Sequence, residues 1–187
     1  MKKPDNQQFI NLLIDQKGDQ YVYGHEVSLS DPNPRKFDCS ELVEWACAQL
    51  KIKPVMPDGS WLQLRHCNKY GCEIEVKDGM ETPGALLFRF SGDPFEGDRP
   101  KSAHVGVSLG SGYTIEARGR EYGVGIFKAK NRSWTHAALV PGIYYPGWDS
   151  EEQKPPGERK PAIKEEPKLG STWLSVLRRL LGWVGIR

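Results

Sequence analysis

No apolar run in these 187 residues is long enough to span a bilayer. Nor does the N-terminus, MKKPDNQQFINLLIDQKGDQ, read as a secretory signal, because Asn11, Asp15 and Gln16 interrupt its apolar residues and no small-residue cleavage site follows. The expectation is a protein made in the cytoplasm without a signal peptide. Cysteine is scarce as well. Four are present, and in a reducing compartment they stay thiols, which leaves packing, metal binding or catalysis to explain them. Net charge is small, +2, and uneven. Residues 1–150 carry 18 basic and 19 acidic side chains, whereas residues 151–187 carry eight and five. A nearly neutral body has no electrostatic footprint for nucleic acid, so none is expected as a partner. The length allows one compact domain and a tail.

Patterning divides the chain in two. Phe9, Ile10, Leu12, Leu13 and Ile14 suit a short first helix ending near Gly18. Residues 19–37, rich in turn formers and containing Pro32 and Pro34, read as a loop. Val43, Ala46, Cys47 and Leu50 then recur at helical spacing before Pro54 closes the segment. From Gly84 the pattern becomes strands: GALLFRF, HVGVSL, YTIEA, GVGIFKA and AALVPGIYY, separated by Gly, Pro or Asp. Helices first and adjacent strands afterwards predict an α+β domain with an antiparallel sheet over residues 1–148. Residues 149–170, charged and broken by Pro and Gly, predict a solvated linker.

Asp38-Cys39-Ser40-Glu41 opens the second helix. Asp38 can cap it, with Glu41 completing a capping box. Cys39 then sits in the first turn, where unpaired N–H groups and the helix dipole favour a thiolate, the form that attacks a carbonyl. Cys47, two turns on, reads as a small buried residue. His104 stands at the mouth of a later strand, where its side chain can meet a helix N-terminus. A helix-start Cys with a strand-start His is the arrangement of thiol hydrolases. A third polar group should orient the imidazole. Gly110-Ser111-Gly112 is a hairpin signal. If Leu109 pairs with Tyr113, Glu116 faces Gly106 and lies diagonally from His104 at about 7 Å between Cα atoms. A one-residue slip would turn Glu116 to the other face.

These residues resemble the NlpC-type cell-wall cysteine peptidases, which share a papain-like core. The resemblance runs over about residues 9–145. It comprises Tyr21-Val22-Tyr23-Gly24, Phe37-Asp38-Cys39-Ser40, Thr82-Pro83-Gly84-Ala85-Leu86-Leu87-Phe88, His104-Val105-Gly106-Val107 and Gly112-Tyr113-Thr114-Ile115-Glu116-Ala117. With DCSE, PDGSW and IEARGREYGVG the chain looks like a bacteriophage lysin or virion-associated wall hydrolase. It departs from the family in Glu41, where Gly is usual, and in Glu116, where bacterial members usually have His. The resemblance implies a papain-like α+β core and peptidoglycan as substrate, cut in its stem peptides, commonly between D-γ-glutamyl and a diamino acid. Cys39 would be nucleophile, His104 base and Glu116 its orienting partner. It also implies an active-site tyrosine at Tyr21, with Tyr23 packing in the core. Action would be at the host wall, after release or from a virion. An N-acetylmuramoyl-alanine amidase, an acyltransferase with the same triad, and a catalytically silent virion or binding protein are the alternatives.

His66, Cys67 and Cys72 suggest zinc, but their spacing is wide and no second Cys pair lies near, so neither metal nor cofactor is expected. His25 and His136 read as structural or exposed. In residues 171–187, Trp173, Val176, Leu177, Leu180, Leu181 and Val184 form one stripe opposite Arg178 and Arg179. Such a basic amphipathic helix, with Trp183 beside the stripe, suits an anionic membrane or envelope surface, or else docks on protein.

Overall fold

A computed structural model describes residues 3–148. The linker expected over 149–170 and the amphipathic helix expected over 171–187 lie outside the described residues.

Asp5 begins α1 (Asn6–Asp15) with a reciprocal capping box, its carboxylate accepting the Gln8 N–H at 2.9 Å while the Gln8 side chain accepts the Asp5 N–H at 3.0 Å. Phe9, Ile10 and Leu13 fall on the buried face of this helix. Within the stretch read as a loop, β1 (Gln20–Tyr21) and β2 (Lys36–Phe37) form a small parallel ladder. It is too short to leave a periodic signature. α2 (Cys39–Gln49) follows at once and buries Leu42, Val43, Trp45, Ala46 and Cys47.

Three elements between α2 and the main sheet had no clear signal: α3 (Ser60–Lys69), β3 (Glu73–Ile74) and α4 (Val76–Glu81). The strands foreseen from the sequence are β4 (Leu86–Phe90), β5 (Ala103–Gly110), β6 (Tyr113–Ala117), β7 (Val124–Lys128) and β8 (His136–Ala138). They join β3 in one antiparallel sheet of order β3-β8-β4-β5-β6-β7. The last apolar segment is strand only over its first residues. Val140 and Tyr145 beyond it are buried without being strand, the Tyr145 hydroxyl receiving the Val140 N–H and donating to the Gly84 carbonyl.

Alternation along the strands sorts core from site. Leu86, Phe88, Val105, Val107, Ile115 and Ala117 join Phe9, Phe37, Leu42 and Trp45 in the main core. The intervening residues, Arg89, His104, Gly106 and Glu116 among them, take the other face, where Leu87, Ala137 and Trp134 pack together. No helix among the described residues is long and apolar enough to cross a membrane.

Candidate active site

Cys39 is the first residue of α2. One Asp38 oxygen accepts the N–H groups of Ser40 and Glu41 and the Ser40 hydroxyl, each at 2.9 Å. The other accepts the Gly24 N–H at 3.3 Å, which ties the Tyr21–Gly24 segment to the helix start. The expected capping box is half formed. Glu41 does not reach back to Asp38; its carboxylate takes the Val27 N–H at 2.8 Å instead. A loop amide packed against α2 competes better for Glu41 than the cap does.

The hairpin register has one irregularity. Val107 pairs with Ile115 and Ser108 with Thr114, as expected, but Gly110 rather than Leu109 closes the ladder opposite Tyr113, with a bulge between Ser108 and Gly110. The bulge absorbs the extra residue near the turn, so the inner register is kept. Glu116 therefore lies over Gly106, and its Oε2 is 2.7 Å from His104 Nε2. His104 also lies against the thiol of Cys39, whose proximity helps to raise its pKa. The three residues singled out in the sequence are thus in one chain of contacts, all nearly buried.

A Cβ built on Gly106 would stand 2.7 Å from Glu116 Cγ and 3.2 Å from Trp134 Cη2. Glycine is needed here for room. Gly106→Ala is expected to displace Glu116, lowering the rate at least tenfold and stability by about 1–3 kcal/mol. Steady-state kinetics and thermal melts would check this, and unchanged values in both would show that the glutamate does not depend on that space.

Three contacts were not foreseen. Arg132 donates to Glu116 Oε2 at 2.7 Å, and Thr114 donates its hydroxyl to Oε1 at 2.5 Å. Trp134 lies nearly parallel to the His104 ring, 18° between planes and 6.1 Å between centroids, with the Arg132 guanidinium over its own face. Arg132 and Trp134 come from the β7–β8 connection, where Asn131 and Ser133 take left-handed backbone conformations. The only sequence hint was electrostatic: a carboxylate buried in a sheet calls for more than one donor.

Burial works against a charged His104, but the hydrogen bonds to Cys39 and Glu116 outweigh it and push its pKa up to about 9. Burial likewise opposes ionisation of Glu116, yet His104, Thr114 and Arg132 hold its carboxyl below the ordinary value. Tyr21, half-buried on β1, is pushed up to about 12 by burial and by the nearby charges of Cys39 and Asp38. It remains a neutral phenol at working pH. Tyr23 does not pack in the core as expected. It is 63 % exposed, because β1 ends at Tyr21 and the turn at Gly24 breaks the alternation.

Cys47, Cys67 and Cys72 are buried thiols. Among the described residues, one group has the donor types and spacing to hold a cation: Glu41, Glu44 and Asp58, whose oxygens lie within 4.8 Å of one another. Burial, and then the charges of Glu41 and Asp58, raise the Glu44 pKa to about 7.

A family model described as NlpC/P60 matches residues 18–141. No curated protein matches the sequence. Similar solved structures include RipB, a peptidoglycan hydrolase from Mycobacterium tuberculosis, at 26% identity and a TM-score of 0.55, over 75% of this chain and 65% of that one. The NlpC/p60 domain of the peptidoglycan hydrolase SagA aligns at 21% identity and a TM-score of 0.53, over 72% of this chain and 97% of that domain. NlpC2 from Trichomonas vaginalis aligns at 23% identity and a TM-score of 0.56, over 75% of this chain. The chain spans about half the length of this protein and of its companion NlpC1, 48% and 45%. What these structures share with the present one is the papain-like α+β arrangement of helices on an antiparallel sheet.

Proposed function

The chain belongs to the NlpC/P60 family, and from that membership we propose that it is a peptidoglycan hydrolase cutting stem-peptide bonds with Cys39, His104 and Glu116. The observation that carries the reading is the continuous contact from the thiol at a capped helix start, through His104, to a buried carboxylate 2.7 Å beyond. Members of this family are cysteine peptidases acting on peptidoglycan.

In the resting site His104 holds a proton, which supplies the cation that a Cys39 thiolate needs beside it. The sulfur attacks the scissile carbonyl carbon. Asp38 takes the N–H groups of Ser40 and Glu41, and among the described residues that of Cys39 is left to receive the developing oxyanion. As the C–N bond breaks, His104 gives its proton to the leaving amine. Water then attacks the thioester while His104 accepts its proton, and release of the acid restores the thiolate. Glu116 fixes the ring throughout and stabilises its charge whenever it carries the proton. Tyr21 stands in the same cleft as a neutral donor.

The bond between D-γ-glutamyl and a diamino acid is the one we expect to be cut. We place the action at the bacterial host wall, after release or from a virion, with residues 171–187 able to hold an anionic envelope. Digesting defined peptidoglycans and identifying the new termini by mass spectrometry tests the reading. A new amino terminus on the diamino acid supports it. Release of intact stems from muramic acid would make the chain an amidase instead, and recovery of undigested wall would sink hydrolysis altogether.

A further inference from the structure

The triad does not account for the cations around it. Arg89 on β4 is the direct cross-strand partner of His104 on β5, so both side chains leave the same face of the sheet. On the other flank, the register that pairs Val107 with Ile115 and Ser108 with Thr114 carries Arg118, the residue after β6, to the position across from His104. His104 therefore has an arginine on either flank, and both arginines line the same cleft as its side chain. Arg132 stands below, spent on Glu116 at 2.7 Å.

Neither flanking arginine has an ion-pair partner among the described residues, where the salt bridges are Arg35–Asp19, His104–Glu116 and Arg132–Glu116. Arg118 is held by aromatic faces, its guanidinium 4.7 Å from the Tyr122 ring centroid and 4.8 Å from that of Phe127. That fixes its position without consuming its charge. Arg89 and Arg118 line an open polar cleft of about 360 Å³ with Tyr21, Ser102, His104 and Arg132. One buried carboxylate thus faces three arginines and a protonated histidine. The crowding shows at Arg132, whose pKa is lowered by burial and, against the pull of Glu116, by the charges of Arg118 and Arg89, so the free protein bears a cost that an incoming anion would relieve.

We propose that Arg89 and Arg118 form a carboxylate subsite, gripping a free carboxylate of the substrate next to the scissile bond. The inference rests on the hydrolase reading above and names the feature of the stem peptide that is read. Guanidinium forks match carboxylates in pairs of parallel hydrogen bonds, and the neutral hydroxyls of Tyr21 and Ser102 add donors without adding charge. A γ-linked glutamyl residue keeps its α-carboxylate free, and a diamino acid keeps one of its own. Either supplies the same chemistry, and amidation of either removes it.

Three synthetic stem peptides separate the sources: all-acid, amidated at the glutamyl α-carboxyl, and amidated at the diamino acid carboxyl. Binding is read by calorimetry on the full-length Cys39→Ala protein and turnover as kcat/KM on the wild type. One amide should bind and react at least tenfold less well than the acid, and that peptide identifies the carboxylate. Arg89→Gln and Arg118→Gln should each bring the acid peptide down toward the amide while leaving the amide nearly unaffected. Because acid and amide are compared within one protein, a folding defect cannot mimic the result. Equal handling of all three peptides, a preference that survives both substitutions, or no binding of any peptide would overturn the subsite. Cleavage without acid preference would leave the hydrolase standing and remove only the subsite. Acid-selective binding with no cleavage by the wild type would do the reverse.

Discussion

Replacing Cys39 with Ala is expected to reduce wall digestion by on the order of ten-thousand-fold or more, leaving only what positioning contributes. The protein should nevertheless remain folded. Asp38, which caps α2, is untouched, and trimming a small side chain at the helix start costs about 1 kcal/mol. A second readout ties the loss to the proposed chemistry. Burial alone would lower the His104 pKa, and the contacts with Cys39 and Glu116 bring it to about 9 from the usual 6.5. Without the sulfur that value should fall, as followed by the His104 ring protons in NMR titration. A folded value above the unfolded one stabilises the protein fully below 6.5, and the contribution disappears as pH rises through 9. The wild type should therefore lose part of its stability between those limits, and Cys39→Ala should lose it earlier. Full lytic activity in the variant, or an unshifted titration, would remove Cys39 from the reaction.

How far the site could be read beforehand depended on whether each residue sat on a regular element. Cys39 was legible because Asp38 marks a helix start, and a helix start has a fixed set of unpaired amides. Glu116 was legible because strand pairing has a period of two, which confines it to one face or the other. The closing pair was misplaced by one residue, since Gly110, Ser111 and Gly112 accommodate more than one turn and a bulge leaves no mark in composition. The inner register survived because burying Val107 and Ile115 together forbids a slip. Arg132 and Trp134 lie in a connection with no period, and their placement depends on the left-handed Asn131 and Ser133. Tyr23 shows the converse error, a strand alternation extended past the point where the strand stops. α3 and α4 were passed over because their buried faces are mixed: Ser60, Gln63, Leu64 and Cys67 on one, Gly79 on the other. Gln63 is buried only because its amide donates to the carbonyls of Ser40 and Pro57.

Glu116→Gln is expected to damage stability and rate together, although it changes the shape of the side chain very little. Glu116 is 1 % exposed and accepts from three donors: His104 and Arg132 at Oε2, both at 2.7 Å, and Thr114 at Oε1. An amide offers one acceptor oxygen and turns an NH2 toward donors that need an acceptor. The substitution also leaves Arg132, 12 % exposed, without its anion. Breaking a buried pair in this way costs about 3–5 kcal/mol. On the reaction, loss of the charge that stabilises the imidazolium should lower kcat by on the order of a hundred- to ten-thousand-fold. It should also move the alkaline limb of activity, set in the wild type by a His104 value near 9, toward neutrality. The acid side has the opposite sign. Burial would raise the Glu116 pKa, but His104, Thr114 and Arg132 hold it below 4.5, so its contribution is present above 4.5 and lost as pH falls through the depressed value. Urea unfolding of the two proteins should thus show a gap near neutrality that narrows progressively below pH 4.5. Arg132→Met in the Glu116→Gln background should recover part of the lost stability, because it removes the stranded guanidinium, but none of the lost rate. A gap that does not depend on pH, or an alkaline limb left near 9, would mean that Glu116 packs beside His104 without holding its charge.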